Sequence, residues 1–132
     1  MSPTGLAQGQ PKGQPCVDHG PCITNIFQDY NDQNEPFLEV DWDGRGTWDH
    51  YYVKYSRPGK ESPPYRMEGN INSVQLGKVH RNTTYTFKVQ ACGINLTEWA
   101  RGVPVVECGG WAEASKTTAI RLENPVLVPA EP

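Results

Sequence analysis

Four residues of this chain are of the types that most often carry recognition. Arg45 and Trp48 lie in DGRGTWDHYYVKY (43–55); Trp99 and Arg101 lie in GINLTEWARGVPVVECGGW (93–111). Trp and Arg are enriched at binding hot spots, where a large side chain is desolvated against a partner. A Trp face also stacks on sugar rings, whose axial C–H groups complement its π-cloud. The chemistry to expect is therefore recognition of a protein surface or a glycan, with Asn70 or Glu98 as a polar neighbour for a sugar. Trp42 and Trp111 read as packing residues.

Other chemistries fit less well. Asp41, Asp43 and Asp49 are dense enough to suggest calcium, but outward-facing strand positions explain Asp41 and Asp43 without an ion. His19, His50 and His80 are scattered, and neither a Gly-rich phosphate loop after a strand nor a nucleotide fingerprint occurs. Arg101-Gly102-Val103 and Arg45-Gly46-Thr47 both fail the Arg-Gly-Asp integrin tripeptide at the third residue. The expectation is a protein that is not an enzyme and that needs no metal or cofactor.

There are four cysteines, Cys16, Cys22, Cys92 and Cys108. They allow three pairings. Sequence proximity favours Cys16–Cys22 and Cys92–Cys108, and the spacings are not those of zinc knuckles. Disulfides imply an oxidising compartment, hence a secreted or cell-surface chain. Cysteines so committed do not act as nucleophiles. The sequons Asn82-Thr83-Thr84 and Asn95-Leu96-Thr97 could carry glycans in a eukaryotic source.

The chain has 132 residues, enough for one domain with its own core. Its formal charge is -3, with no basic stripe, so nucleic acid is not an expected partner. No apolar run approaches the ~20 residues that span a bilayer, so membrane insertion is not expected. The start, MSPTGLAQGQPKGQP, is polar and lacks the apolar segment of a signal peptide. Given the cysteines, a mature or fragment chain with an added Met1 fits better than a cytosolic one.

Residues 1–21 read as a disordered leader or linker and 123–132, ENPVLVPAEP, as a Pro-rich exit tail. Between them no helical period of any length occurs. Alternation recurs instead. Leu38, Val40 and Trp42 share one face of FLEVDWD, and Tyr51, Val53 and Tyr55 one face of YYVKY. Tyr85, Phe87, Val89 and Ala91 alternate through TYTFKVQA. Ile71 falls off the register of Val74 and Leu76, which predicts a bend near Asn72-Ser73. With Gly, Pro and Asn turn signals between them, about seven such segments predict a seven-stranded antiparallel β-sandwich.

VDW, YYVKY, VQLGKVHRNTTYTFKVQA and WAEASKTTAI together resemble a fibronectin type III domain over residues 22–122. The resemblance makes Trp42 the core tryptophan of strand B. It aligns Tyr51, Val53 and Tyr55 with the Y-x-V-x-Y of strand C. It makes Tyr85 the corner tyrosine, whose hydroxyl ties back to backbone at the E–F turn. Arg81 stands where the family usually has Pro, and most members lack disulfides.

The resemblance implies strands A 22–30, B 37–43, C 50–56, C′ 65–68, E 71–76, F 84–92 and G 112–121, with the B–C, C′–E and F–G loops at one pole. Arg45, Trp48, Asn70, Trp99 and Arg101 are then the candidate binding residues. The function expected is an extracellular binding or adhesion module engaging a protein partner, a receptor or matrix component. A lectin-like module using Trp48 and Trp99 and a passive spacer are the alternatives. A Cys92–Cys108 bond would staple the base of an F–G loop at 93–111, contributing on the order of 3 kcal/mol.

Overall fold

The computed structural model describes residues 13–94, 100–102 and 105–119. Eight strands follow in order: β1 (Cys22–Tyr30), β2 (Pro36–Asp43), β3 (His50–Arg57), β4 (Lys60–Glu61), β5 (Tyr65–Glu68), β6 (Ser73–Gly77), β7 (Thr84–Ile94) and β8 (Val106–Thr117). One sheet has the order β1-β2-β6. The other has β4-β3-β7-β8, with β5 also paired to β3. All pairings are antiparallel. The fold is an all-β sandwich of two antiparallel sheets.

The period-2 alternation decides which faces meet. Ile23, Leu38, Val40 and Trp42 come from one sheet; Tyr51, Val53, Tyr85, Phe87, Val89, Ala91 and Ala112 come from the other. All are buried in one cluster. Each large apolar side chain so buried contributes roughly 1.5–3 kcal/mol. Trp42 meets Tyr51 edge-on, with ring centroids 5.4 Å apart at 67°.

The strand count is eight rather than seven. Lys60–Glu61 folds back on Ser56 and Arg57 across Pro58-Gly59, where Gly59 takes φ 82°. Ser62 carries the ladder one residue further, its N–H donating to the Tyr55 carbonyl and its Oγ accepting from the Tyr55 N–H. Pro63 and Pro64 have no N–H to give, so pairing breaks and resumes as β5 against His50–Val53.

The last strand also differs. It was expected over 112–121 and runs over Val106–Thr117, while β7 extends to Ile94. Gly109-Gly110 looks like a turn in sequence but serves an irregularity in the β7–β8 ladder between Gln90 and Cys92, where the Gln90 amide donates to the Gly109 carbonyl at 2.8 Å. Residues 93 and 94 therefore pair with 107 and 106 rather than opening a loop.

At the β6–β7 turn the Tyr85 hydroxyl accepts from the His80 N–H at 2.8 Å. Asn82 takes φ 50° there, a conformation that Asn tolerates better than most residues, and the Thr83 hydroxyl donates to the Arg81 carbonyl. The turn thus closes without the family's proline. Buried Thr118 latches the end of β8 to it, its hydroxyl donating to the His80 carbonyl at 2.6 Å.

The leader expected over 1–21 is hydrogen-bonded from Gln14 onward. The Gln14 carbonyl accepts from the Glu113 N–H and the Pro15 carbonyl from the Ile23 N–H. The Cys16–Cys22 disulfide turns this segment back along β1.

Tyr85→Phe keeps the ring and removes the corner acceptor, leaving the His80 N–H without its partner. The expected loss is about 1–2 kcal/mol in urea unfolding, with an unchanged denaturant slope.

Candidate functional site

The β2–β3 loop, residues 44–49, is held from three sides. The Asp43 carboxylate accepts from the Arg45 N–H at 2.9 Å, an Asx turn that supports Arg45 at φ 55°. That backbone directs the Arg45 side chain toward the N-terminal segment. Its Nε donates to the Gly20 carbonyl at 2.8 Å and its Nη2 to the Val17 carbonyl. Arg45 therefore braces the Cys16–Cys22 loop, which is itself closed by hydrogen bonds from Val17 to Pro21 and from Gly20 to Val17.

Trp48 is half-buried against the core. Its indole N–H donates to the Gly44 carbonyl at 2.8 Å. The ring lies over Gly93 of β7, where a Cβ would sit 3.2 Å from Cε3. The neighbouring Asp49 N–H donates to the Cys92 carbonyl. Across the β5–β6 turn, Gly69 approaches the Trp48 backbone so closely that a Cβ would fall 1.9 Å from the Trp48 carbonyl oxygen. The loop after β2, the turn after β5 and the end of strand β7 thus meet at Trp48.

The β7–β8 hairpin rises beside it. The Cys92–Cys108 disulfide crosses between directly paired strand residues, not at the base of a long loop as the sequence suggested. Beyond it Ile94 and Val106 face each other across the ladder, 45% and 46% exposed. Ile71, 38% exposed, stands in the β5–β6 turn beside exposed Asn70. Arg101 is exposed. Trp99, Val103 and the sequon residue Asn95 lie outside the described residues. Asn82 is exposed in the β6–β7 turn, at the opposite end of the sandwich. Trp111 is half-buried on the outer face of its sheet, with the Lys54 ammonium 4.4 Å from its ring centroid.

The acidic residues are each taken up locally. Asp41 accepts from the Ser73 hydroxyl at 2.9 Å, Asp43 holds the Asx turn, and Asp49 contacts His50 and Arg66. Among the described residues, one grouping brings three metal-capable side chains together: His50, Cys92 and Cys108. Both sulfurs there are joined in the disulfide. An apolar cleft of about 310 Å³ opens between β5 and β6, lined by Val53, Tyr55, Tyr65, Met67, Val74, Leu76 and Phe87 among others. A more open, polar one of about 680 Å³ lies at the β6–β7 turn around Arg57 and His80. Neither is lined by the loop residues around Trp48.

Tyr51 underlies the site. Its hydroxyl reaches Gly44, where a Cβ would come within 2.0 Å of it. Burial raises its pKa above the ordinary 10.0. The nearby Trp42 indole N–H works against this rise, and the Asp43 carboxylate adds to it. The Trp42 Nε1 is close enough to favour a phenolate yet meets no acceptor in hydrogen-bonding geometry.

No protein-family model matches this sequence, and no curated relative does. Solved structures do match. The solution structure of the fn3 domain of the human collagen alpha-1(XX) chain is 19% identical at a TM-score of 0.53, covering 91% of this chain and 98% of that one. A β-sandwich protein from a computer-based redesign is 19% identical at a TM-score of 0.50, covering 74% and 88%. The fold is fibronectin type III-like. In fibronectin type III-like terms β1, β2, β3, β5, β6, β7 and β8 are strands A, B, C, C′, E, F and G, and β4 is an addition before C′. Trp48 belongs to the B–C loop, Gly69 to Ile71 to the C′–E turn, and Ile94 and Val106 to the F–G hairpin of this fibronectin type III-like domain.

The sequence signals for Arg45 and Trp48 were their types. What their types did not reveal was the set of backbone partners at Val17, Gly20, Gly44 and Gly93, because a carbonyl or a missing Cβ carries no residue-type signature of contact. The exposure of Ile71 and Ile94 was not expected from sequence; the break in alternation at Ile71 was the available hint.

Gly69→Ala should lower stability by about 2 kcal/mol, because the obstacle is backbone and cannot rotate away; Gly77→Ala, where a Cβ meets nothing within 4 Å, serves as the control in the same thermal melts. A raised folded-state pKa at Tyr51 means its stabilising contribution is complete below the unfolded value near pH 10 and is lost as pH rises through the folded value. Denaturant titrations above about pH 10 should therefore show a steeper loss for the wild type than for Tyr51→Phe.

Proposed function

We propose that this is an extracellular binding module that engages a protein partner through the pole formed by the B–C, C′–E and F–G segments. Fibronectin type III-like folds commonly serve as binding or spacer modules and are in general non-catalytic. Two disulfides favour an oxidising, extracellular setting. Among the described residues no helix is long and apolar enough to cross a membrane.

The observation that carries the reading is the exposed Ile94–Val106 pair on a hairpin clamped by Cys92–Cys108. Two apolar side chains held outward on a braced hairpin, with Ile71 on the neighbouring turn, form the kind of contact centre that a protein surface covers. The clamp lowers the ordering cost on binding. Asn70 and Arg101 would supply a polar rim. Half-buried Trp48 would contribute as a wedge, and Arg45, though exposed, as a brace whose guanidinium is engaged with Val17 and Gly20. The half-buried state of Trp48, its N–H engaged with Gly44, also leaves a lectin-like use of that ring with little support.

The test compares the oxidised domain with Ile94→Asp/Val106→Asp on an array of extracellular proteins and on a glycan array. The expected result is a protein ligand whose affinity falls at least about tenfold in the variant while the thermal midpoint is retained. Binding confined to glycans and unchanged in the variant would overturn the reading. Silence on both arrays would favour a spacer.

A further inference from the structure

His50, Cys92 and Cys108 stand in a row on three adjacent strands. His50 is the direct partner of Cys92, and Cys92 of Cys108. A ring nitrogen of His50 and the two sulfurs lie within 4.8 Å of one another. His50 and Cys92 are buried and Cys108 is exposed. Asp49 Oδ2 holds the His50 Nδ1 at 2.8 Å and is itself 3.7 Å from Arg66.

We propose that this corner is a redox-gated metal site. Oxidised, it is the Cys92–Cys108 disulfide; reduced, it is a Cys2His donor set for Zn²⁺. In the gating step a dithiol reductant gives two electrons and two protons. The Cys92–Cys108 S–S bond breaks, two protein thiols form, and the dithiol closes to its own disulfide. Zn²⁺ then displaces both thiol protons, forms two Zn–S bonds and accepts the imidazole lone pair.

The donor set suits that ion. Two thiolates and an imidazole are ligands that zinc favours and calcium or magnesium does not. A tetrahedron with Zn–S bonds of ~2.3 Å places its sulfurs roughly 3.8 Å apart. The Cys92 and Cys108 Cα atoms are 4.0 Å apart, and disulfide partners have Cβ atoms about 3.8 Å apart, so turning the two C–S bonds from converging to roughly parallel gives the sulfurs that span. The exposed Cys108 side admits both the reductant and the metal, and leaves a fourth position to water. Asp49 supplies the carboxylate that zinc-binding histidines commonly carry on their second nitrogen. With Nδ1 so engaged, Nε2 keeps the lone pair for the metal. The hairpin would then remain clamped in either redox state, whether or not the pole above it binds a partner.

The test uses the full chain with Cys16→Ser/Cys22→Ser, which leaves one cysteine pair. It is reduced with a phosphine that does not compete for metal, and titrated with Co²⁺ as the spectroscopic probe for zinc, with far-UV circular dichroism alongside. The expected result is thiolate-to-cobalt charge-transfer bands with the visible bands of tetrahedral cobalt, saturating at one metal per chain and displaced by Zn²⁺. They should be absent from the oxidised protein and from Cys92→Ser/Cys108→Ser. His50→Ala should weaken binding at least about tenfold. Failure of the bands to appear, whether the reduced chain is folded or not, would overturn the proposal. So would bands of equal strength and affinity in His50→Ala, since the thiols would then be binding without the histidine.

Discussion

The fit of one indole against backbone organises the loop pole. Trp48 packs closely over Gly93, where a Cβ would crowd its ring at 3.2 Å, and its N–H is satisfied by the Gly44 carbonyl. Its own carbonyl in turn leaves no room for a Cβ at Gly69. A half-buried tryptophan with its one polar atom bonded is a stable arrangement, because apolar area leaves water without an orphaned donor. Its consequence reaches further than its own energy. Trp48 thus touches strand β7 with its ring and the C′–E turn with its carbonyl, beside the β5-β3-β7-β8 ladder that carries the F–G hairpin.

The N-terminal segment belongs to the same construction. Its Cys16–Cys22 loop offers carbonyls at Val17 and Gly20, and the Arg45 guanidinium accepts the task of satisfying both. Arg45 adopts a left-handed backbone to do so, a conformation that costs energy for a side-chain-bearing residue and is supported here by the Asp43 carboxylate. The opposite end of the sandwich is built differently. There the Tyr85 hydroxyl, the Thr118 hydroxyl and the His80 backbone form a compact latch between the E–F turn and the end of strand G. One end is closed by hydroxyl-to-backbone bonds and the other by a wedge, a brace and two disulfides.

The β-sandwich was legible because its signal is periodic and local. Alternation through FLEVDWD, YYVKY and TYTFKVQA marks the faces that the two sheets bury, and the tyrosine of the E–F corner sits where the resemblance to fibronectin type III domains implies. The cysteine pairing was legible from proximity alone. The start of strand G was not, because Gly109-Gly110 and the valines before it read as loop, and only the opposing strand F shows that they continue a ladder. The short β4 was hidden by the prolines that follow it. At the pole, residue type pointed to Arg45 and Trp48 without revealing that each is turned toward the protein's own backbone. An exposed apolar patch at Val103, Val105 and Val106 is what a protein-binding module predicts, and Val106 is exposed; its cross-strand partner Ile94 was not legible, because the pairing of the two strands there was not.

That exchange of roles bears on how such a pole can recognise anything. An exposed Trp contributes a large contact area but must be ordered on binding; a Trp used as a wedge orders its neighbours in advance. The Cys92–Cys108 bond acts in the same direction on the hairpin, because a cross-link between paired strands restricts the excursions of everything beyond it. Affinity at a small aliphatic patch depends more on such preorganisation than on area, since a few isoleucine and valine side chains cannot offset the ordering of flexible loops. On the proposed reading, the wedge, the brace and the clamp would be the features that make a contact surface as modest as Ile71, Ile94 and Val106 usable, and a partner would sense changes in them as losses of affinity even at residues it never touches.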